Sequence, residues 1–439
     1  MKKYYFLSLV GMLASVQANE ALDVLEGKKD SASGVAATLP AEDAALIQGA
    51  TTSAAADGKV IKPYVAPVPS EYSRQSKQFF DPIWARSTII KNEQNKYVQE
   101  LSLIGLFEAS AAWGDVETTL NGNASTYRPN DMELRRAQLG ARMKAFYRTE
   151  ITGIAEMAGP SRMSGIKTLK ASTVLSDNFG LTLGKFRPLS TLENGINDSQ
   201  LLTAERALLS NLIAPADSLG IMLDAKKGDW RYNFGWFSND FNENIPSIKN
   251  EGFINVGVAY EKTSKTDAGV PILSRWYLNY IHNMDRNISE VIPRHELTAN
   301  NTYREIFSTG FTIQQDRLGF QGEFTIAQGD KSVWGMTLTP SYWIMPNTIQ
   351  LVGRYHFADS DEKDALLTGY GPGSDPFFES GPIYSGDEFH SLYLGANVHL
   401  YENSIVIFNG LEYTLFKDEL DSGAETKSLL WQSGARLSF

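Results

Sequence analysis

Apolar side chains recur at every second position in segment after segment of this chain, and that period dictates what it can fold into. Trp230, Tyr232, Phe234 and Trp236 alternate with Arg231, Asn233 and Gly235. Trp276, Leu278 and Tyr280 alternate with Arg275, Tyr277 and Asn279. The same design runs through Leu318 to Ile326, Ile349 to Phe357 and Leu392 to Leu400. A strand sends successive side chains to opposite faces, so each segment is apolar on one side and polar on the other. No long amphipathic helix interrupts the pattern beyond about Tyr97.

A soluble sandwich also alternates, so three further features decide. The polar face carries Gly and Arg, while aromatic residues gather near segment ends on the apolar face, as a membrane barrel requires. Connections alternate between short (Lys226 to Asp229, Tyr401 to Asn403) and long (Asp359 to Glu388). The chain closes as a strand with Trp431, Ser433, Ala435, Leu437 and the terminal Phe439 on one face. About sixteen such segments fit between Val98 and Phe439, with fourteen or eighteen as neighbouring readings because Ile151 to Val174 and Ser404 to Tyr413 are poorly patterned. The fold class expected is all-β, a transmembrane antiparallel β-barrel. Sixteen strands leave an aqueous channel where eight would be filled by side chains.

Composition agrees. The 439 residues are only 42% hydrophobic, with a mean hydropathy of −0.25 and no long apolar run inside the chain, which excludes a helical membrane protein but not a barrel. The absence of cysteine removes disulfides, thiolate metal sites and cysteine nucleophiles. A net charge of −11 argues against a nucleic-acid partner. Residues 1–18 read as a signal peptide: Lys2 and Lys3, an apolar stretch from Tyr4 to Ala14, and Val16-Gln17-Ala18 as a small-residue cleavage site. Residues 19–96 read as a periplasmic low-complexity tether, because Asn19 to Ser76 holds too few large apolar residues to offset the entropy of ordering. Residues 97–439 are the barrel.

Sorted by face, the charges separate. The lumen side collects Arg136, Arg142, Lys144, Arg231, Arg275, Arg304, Arg317, Arg354 and Arg436, against Glu108, Glu156, Glu323 and Glu412. The acidic surplus falls in loops, with Asp359, Asp361, Glu362, Asp364, Asp375, Glu379, Asp387 and Glu388 in one connection. A basic wall of low dielectric concentrates anions. Glu133, Arg135 and Glu305 break the pattern by taking lipid-side parity.

The residues also carry a resemblance. Met132-Glu133-Leu134-Arg135-Arg136-Ala137-Gln138-Leu139-Gly140 resembles the paired-arginine strand of the phosphate-selective porin O and P family. Leu183-Gly184-Lys185-Phe186-Arg187-Pro188 resembles that family's Gly-Lys-Phe-Lys-Pro segment, and Glu205-Arg206 and Ala214-Pro215 follow in the same order. Val352-Gly353-Arg354-Tyr355 and Gly395-Ala396-Asn397 are similar to its later strands. The resemblance implies a homotrimeric outer-membrane barrel of sixteen strands, with a long loop, about Pro188 to Asp217, folded into the pore. In that family arginines and lysines conduct anions past this constriction, and with the lumen-side residues read from parity the candidate pore-lining, anion-binding set is Arg136, Arg142, Lys144, Arg206, Arg231, Arg275, Arg304, Arg317 and Arg354. The matching loop holds Arg206 beside Glu193, Asp198, Glu205 and Asp217, without the dense basic ladder of phosphate-specific members.

The function expected is therefore a passive porin for small hydrophilic solutes that prefers anions, phosphate or other small ones, with membrane lipids and lipopolysaccharide around it. A general or sugar channel is the alternative, with Tyr370, Phe377 and Phe378 to stack on rings. No enzyme, cofactor or metal is expected. Gly369-Tyr370-Gly371-Pro372-Gly373 lacks the following helix of a phosphate loop, and His282, His295, His356, His390 and His399 lack zinc-ligand spacing. A lipase-like barrel needs a Ser–His pair, yet His390 and Ser391 are adjacent and point to opposite faces of a strand. No Gly-x-Ser-x-Gly elbow appears. An adhesive or structural barrel, with the tether as its arm, is the remaining reading.

Overall fold

The structure, a computed structural model, describes residues 69–157, 165–238, 248, 251–266, 269–284, 303–367 and 385–439. The segment read as a signal peptide, most of the segment read as a tether and the 369–373 glycine stretch lie outside the described residues. Sixteen antiparallel strands close on themselves. In chain order they are β1 (Val98–Leu120), β2 (Asn130–Ala145), β3 (Thr149–Glu156), β4 (Gly165–Ser176), β5 (Phe179–Phe186), β6 (Ser218–Lys227), β7 (Trp230–Phe237) and β8 (Phe253–Lys265). The second half comprises β9 (Pro271–Asn283), β10 (Tyr303–Gln315), β11 (Leu318–Gly329), β12 (Ser332–Met345), β13 (Ile349–Asp359), β14 (Glu388–Tyr401), β15 (Ile405–Asp418) and β16 (Ala424–Ser438). Each pairs with its neighbour in sequence, and β16 returns to β1 with Ser438 opposite Leu106 and Glu425 opposite Thr119. The poorly patterned stretch Ile151 to Val174 supplies β3 and β4, and Ser404 to Tyr413 supplies most of β15.

Closure gives each of the sixteen strands a partner on both sides, as the interior of a bilayer demands. The terminal residue completes the seam: Phe439 and Gly105 exchange two backbone hydrogen bonds of 3.0 Å. The Phe439 ring lies across Gly105, where a Cβ would come within 2.6 Å of it. The missing side chain at Gly105 thus leaves room for the ring of Phe439 beside it.

The two faces are inverted relative to a soluble protein. Leu183, Ile221, Phe234, Trp276, Leu351, Leu394 and Trp431 all stand exposed on the outer wall. Ser110, Thr182, Asn255, Ser308, Gln350, Asn397 and Gln432 are buried within. One rim carries the short turns 146–148, 177–178, 228–229, 316–317, 346–348 and 402–404. Gly228, Asp316 and Asn347 adopt left-handed backbone in these turns, a conformation that Gly, Asn and Asp tolerate best. The opposite rim holds the long connections, including 187–217 and 360–387, besides tight turns at 330–331 and 419–423.

The end of the segment read as tether has structure of its own. Helix α1 (Glu71–Trp84) starts at Ser70, whose hydroxyl accepts the Ser73 N–H at 3.0 Å. It docks on the short-turn rim. Trp84 Nε1 donates to the Ser438 carbonyl at 2.8 Å, the Tyr401 hydroxyl donates to Asp81 at 2.8 Å, and Lys77 pairs with Glu402 at 3.0 Å. A short strand, Thr88–Lys91, then pairs with β1 across Glu100 to Ser102, below the point where β16 ends. Residues 70–91 therefore latch across the barrel's closing seam.

Candidate functional site

The connection 187–217 between β5 and β6 folds into the lumen. It contains α2 (Leu192–Gly195), a 3-10 turn at Asp198–Gln200 and α3 (Leu208–Ile213). Leu208, Leu209, Leu212 and Ile213 are buried against Phe186, Phe237, Phe253, Ile281, Phe389 and Phe416, so the long-loop half of the lumen has an apolar core. Wall asparagines hold the loop backbone: Asn255 donates to Leu189 O at 2.6 Å, Asn279 to Ser190 O at 2.9 Å, and Asn397 to Leu202 O at 2.8 Å.

Arginines do most of the remaining fastening. Glu108, fully buried, joins Arg136 at 2.7 Å to Arg436 at 2.6 Å. Arg436 then donates to the carbonyls of Leu201, Thr203 and Ala204 at 2.6, 2.8 and 3.1 Å. Arg354 donates to Thr203 Oγ1 at 2.9 Å and Glu205 O at 2.6 Å, and pairs with Glu412 and Glu193. Within the loop, Arg206 binds the carbonyls of Glu193 and Ile196, both at 2.8 Å, and the Asp198 carboxylate at 2.6 Å. Opposite the arginines, Glu323 accepts the Leu192 N–H and the Ser308 hydroxyl, both at 2.6 Å.

Burial alone would raise the carboxyl pKa of Asp198, but Lys167, Arg206, Arg187 and Arg136 together hold it well below the usual range. Glu205 is likewise opposed by burial and brought down to about 2 by Arg135 and Arg136. A carboxylate depressed by folding stabilises the fold fully above its unfolded pKa, and that contribution is lost as pH falls through the folded value. Glu205 starts from 4.5, so its share persists at neutral pH and declines between about 4.5 and about 2. The melting temperature should accordingly stay flat from pH 8 to about 5 and fall below about 4.5. Glu205→Gln should flatten that acid limb in thermal scans, and an unchanged limb would remove Glu205 from the clamp.

The candidate pore-lining basic residues, those singled out by parity together with Arg206, fall into separate groups. Arg136, Arg206 and Arg354 meet at the loop, buried and ion-paired. Arg231 and Arg275 flank one acid, Glu261, at 3.2 and 3.5 Å. Arg142 and Lys144 flank Glu100 near the short-turn rim, at 3.7 and 2.8 Å. Arg304 and Arg317 are exposed at opposite rims, and Arg317 donates to Ile344 O at 3.3 Å.

The parity exceptions have structural causes. A register shift between Glu108 and Ala109 places a β-bulge at Arg135, so Arg135 and Arg136 both turn inward and both reach Glu205. Leu134 and Met132 stay outside at 50% and 71% exposure. Glu305 lies on the outer wall, where it binds the Tyr280 hydroxyl and His282 Nδ1 at 2.8 Å.

Beside the loop, a cavity of about 520 Å³ opens along β4 to β9 toward the short-turn rim. Its charged lining comprises Lys167, Lys170, Lys226, Arg187, Arg231 and Arg275 against Asp177, Asp198, Asp217, Asp224 and Glu261. Sequence reasoning missed Lys167, Lys170 and the three loop-holding asparagines as site residues. Lumen parity was the available signal for Asn279 and Asn397. His390 and Ser391 do point apart: His390 contacts the Tyr355 hydroxyl at 2.9 Å and Glu388 at 3.3 Å, while the Ser391 hydroxyl donates to the inward Glu412.

No protein-family model matches the chain, and no curated relative matches it. Among solved structures, it is similar to OprB of Pseudomonas putida at high pH, with 10% identity and a TM-score of 0.46 over 79% of this chain and 95% of that one. It is similar to the outer membrane channel DcaP of Acinetobacter baumannii, with 10% identity and a TM-score of 0.48 over 77% and 97%. An anion-selective porin from Comamonas acidovorans shares 13% identity, with a TM-score of 0.45 over 77% and 99%.

Proposed function

We propose that this protein is a passive outer-membrane porin for small hydrophilic solutes, with a modest preference for anions. The observation that carries the reading is the inverted barrel: an apolar outer wall fits lipid, and a polar interior with an inward-folded loop fits a narrowed water path. Anion preference draws support from the cavity, where Arg231 and Arg275 share the single acid Glu261 and basic residues outnumber acids by one. So small an excess supports weak selectivity rather than a phosphate-specific filter. Homotrimeric assembly, with lipid and lipopolysaccharide at the outer wall, belongs to the same proposal. Purified protein in planar bilayers should give ohmic conductance steps in KCl, and liposomes containing it should swell in small sugars. Closed, ion-tight barrels would overturn the reading.

A further inference from the structure

We propose that Asp364, Asp418 and Asp421 form a calcium site that fastens the long connection after β13 to the β15–β16 turn. One carboxylate oxygen from each lies within 4.8 Å of the other two. The three residues line a separate cavity of about 270 Å³ at the long-loop rim, with Thr118, Thr426 and Ser422 around it. They come from different stretches: Asp418 ends β15, Asp421 lies in the following turn, and Asp364 belongs to the 360–387 connection.

A second, independent observation points to a ligand. Asp418 is only 5% exposed, and its two oxygens are treated differently. Oδ2 accepts the Ser422 N–H at 3.0 Å and the Ser422 hydroxyl, whereas Oδ1 is buried with no hydrogen-bond partner. A buried carboxylate oxygen without a donor is costly, and two further carboxylates beside it add repulsion. The nearby cation, Lys363, reaches Asp421 at 3.4 Å from an exposed position and leaves Asp418 and Asp364 to each other.

An all-oxygen cluster selects a hard cation over zinc. Calcium takes oxygen ligands in a flexible geometry, whereas magnesium demands a near-ideal octahedron and dehydrates reluctantly. The three oxygens, all within 4.8 Å of one another, fit such a loose shell, with water supplying the remaining ligands. The neighbourhood is already fixed in place. Lys331 Nζ donates to the Lys363 and Asp364 carbonyls, and Leu366, two residues on, is fully buried in the apolar core with Leu209. Calcium would hold the described start of this connection, residues 360–367, against the β15–β16 turn. The proposal stands whether or not the channel prefers anions.

The test is calcium titration of the metal-stripped, full-length protein in detergent, read by calorimetry and by melting temperature, with magnesium in parallel. One site per chain with a Kd of about 10⁻⁴–10⁻³ M is expected, the range of extracellular calcium modules, with magnesium at least about tenfold weaker. Asp364→Asn, on a partly exposed residue, and Asp418→Asn should each weaken binding by about tenfold or more and abolish the calcium-dependent rise in melting temperature. Failure of the wild type to saturate below about 10 mM calcium would overturn the proposal. Wild-type affinity in the Asp364→Asn variant, the one least exposed to folding loss, would overturn it equally.

Discussion

Arg436→Met should both destabilise the barrel and enlarge its conductance. The guanidinium is 2% exposed and holds three carbonyls of one loop stretch while pairing with Glu108. Removing one member of a buried, hydrogen-bonded ion pair costs about 3–5 kcal/mol, because the partner charge is left without compensation. Here Glu108 keeps Arg136, which places the expected loss toward the lower end of that range. The loop carbonyls of Leu201, Thr203 and Ala204 lose their donors at the same time, so this stretch should leave the wall and widen the passage. A lower denaturation midpoint together with larger, noisier single-channel steps is the expected pair of results. Glu108→Gln should show the same pattern, and the two together should be less than additive because they share one interaction. Unchanged conductance in a folded Arg436→Met barrel would mean that the loop does not depend on this clamp.

Arg231→Glu combined with Arg275→Glu should turn the channel cation-selective. Both side chains face the cavity and both lean on Glu261, so reversing them leaves four basic residues against seven acidic ones along the lining. A low-dielectric wall focuses that change onto the permeating ion. The sign of the reversal potential should invert. Arg136→Glu makes the contrasting case, since its guanidinium is buried between Glu108 and Glu205 and its loss should register as instability before selectivity. An unchanged reversal potential in the double variant would take Arg231 and Arg275 off the ion path.

Barrel, strand number and facing were legible because a period of two is a local property that a closed sheet preserves along each strand. Glu323 and Glu412 sit inside, as parity requires, and Glu108 does so too, at the edge of a shift in register. Parity failed where geometry departs from that period. The bulge at Arg135 cannot be seen in one strand alone, since it exists only relative to Glu108 and Ala109 on the partner. The division of labour among the arginines was likewise out of reach. Arg354 and Arg231 look alike in sequence, but only the first meets a loop that is folded inward by contacts more than a hundred residues away. The helix Glu71–Trp84 was hidden for a related reason. Its aromatic pair Phe80 and Trp84 docks on Tyr401, a contact more than three hundred residues away in sequence.

The most direct test of the porin reading is the reversal potential of the wild-type protein, reconstituted in a planar bilayer under a tenfold KCl gradient. Open, ohmic channels are expected, with current reversing at a potential of the sign set by chloride, well short of the full Nernst value because the lining is nearly balanced. A reversal at the potassium side, or a bilayer that stays silent with folded protein inserted, would contradict it.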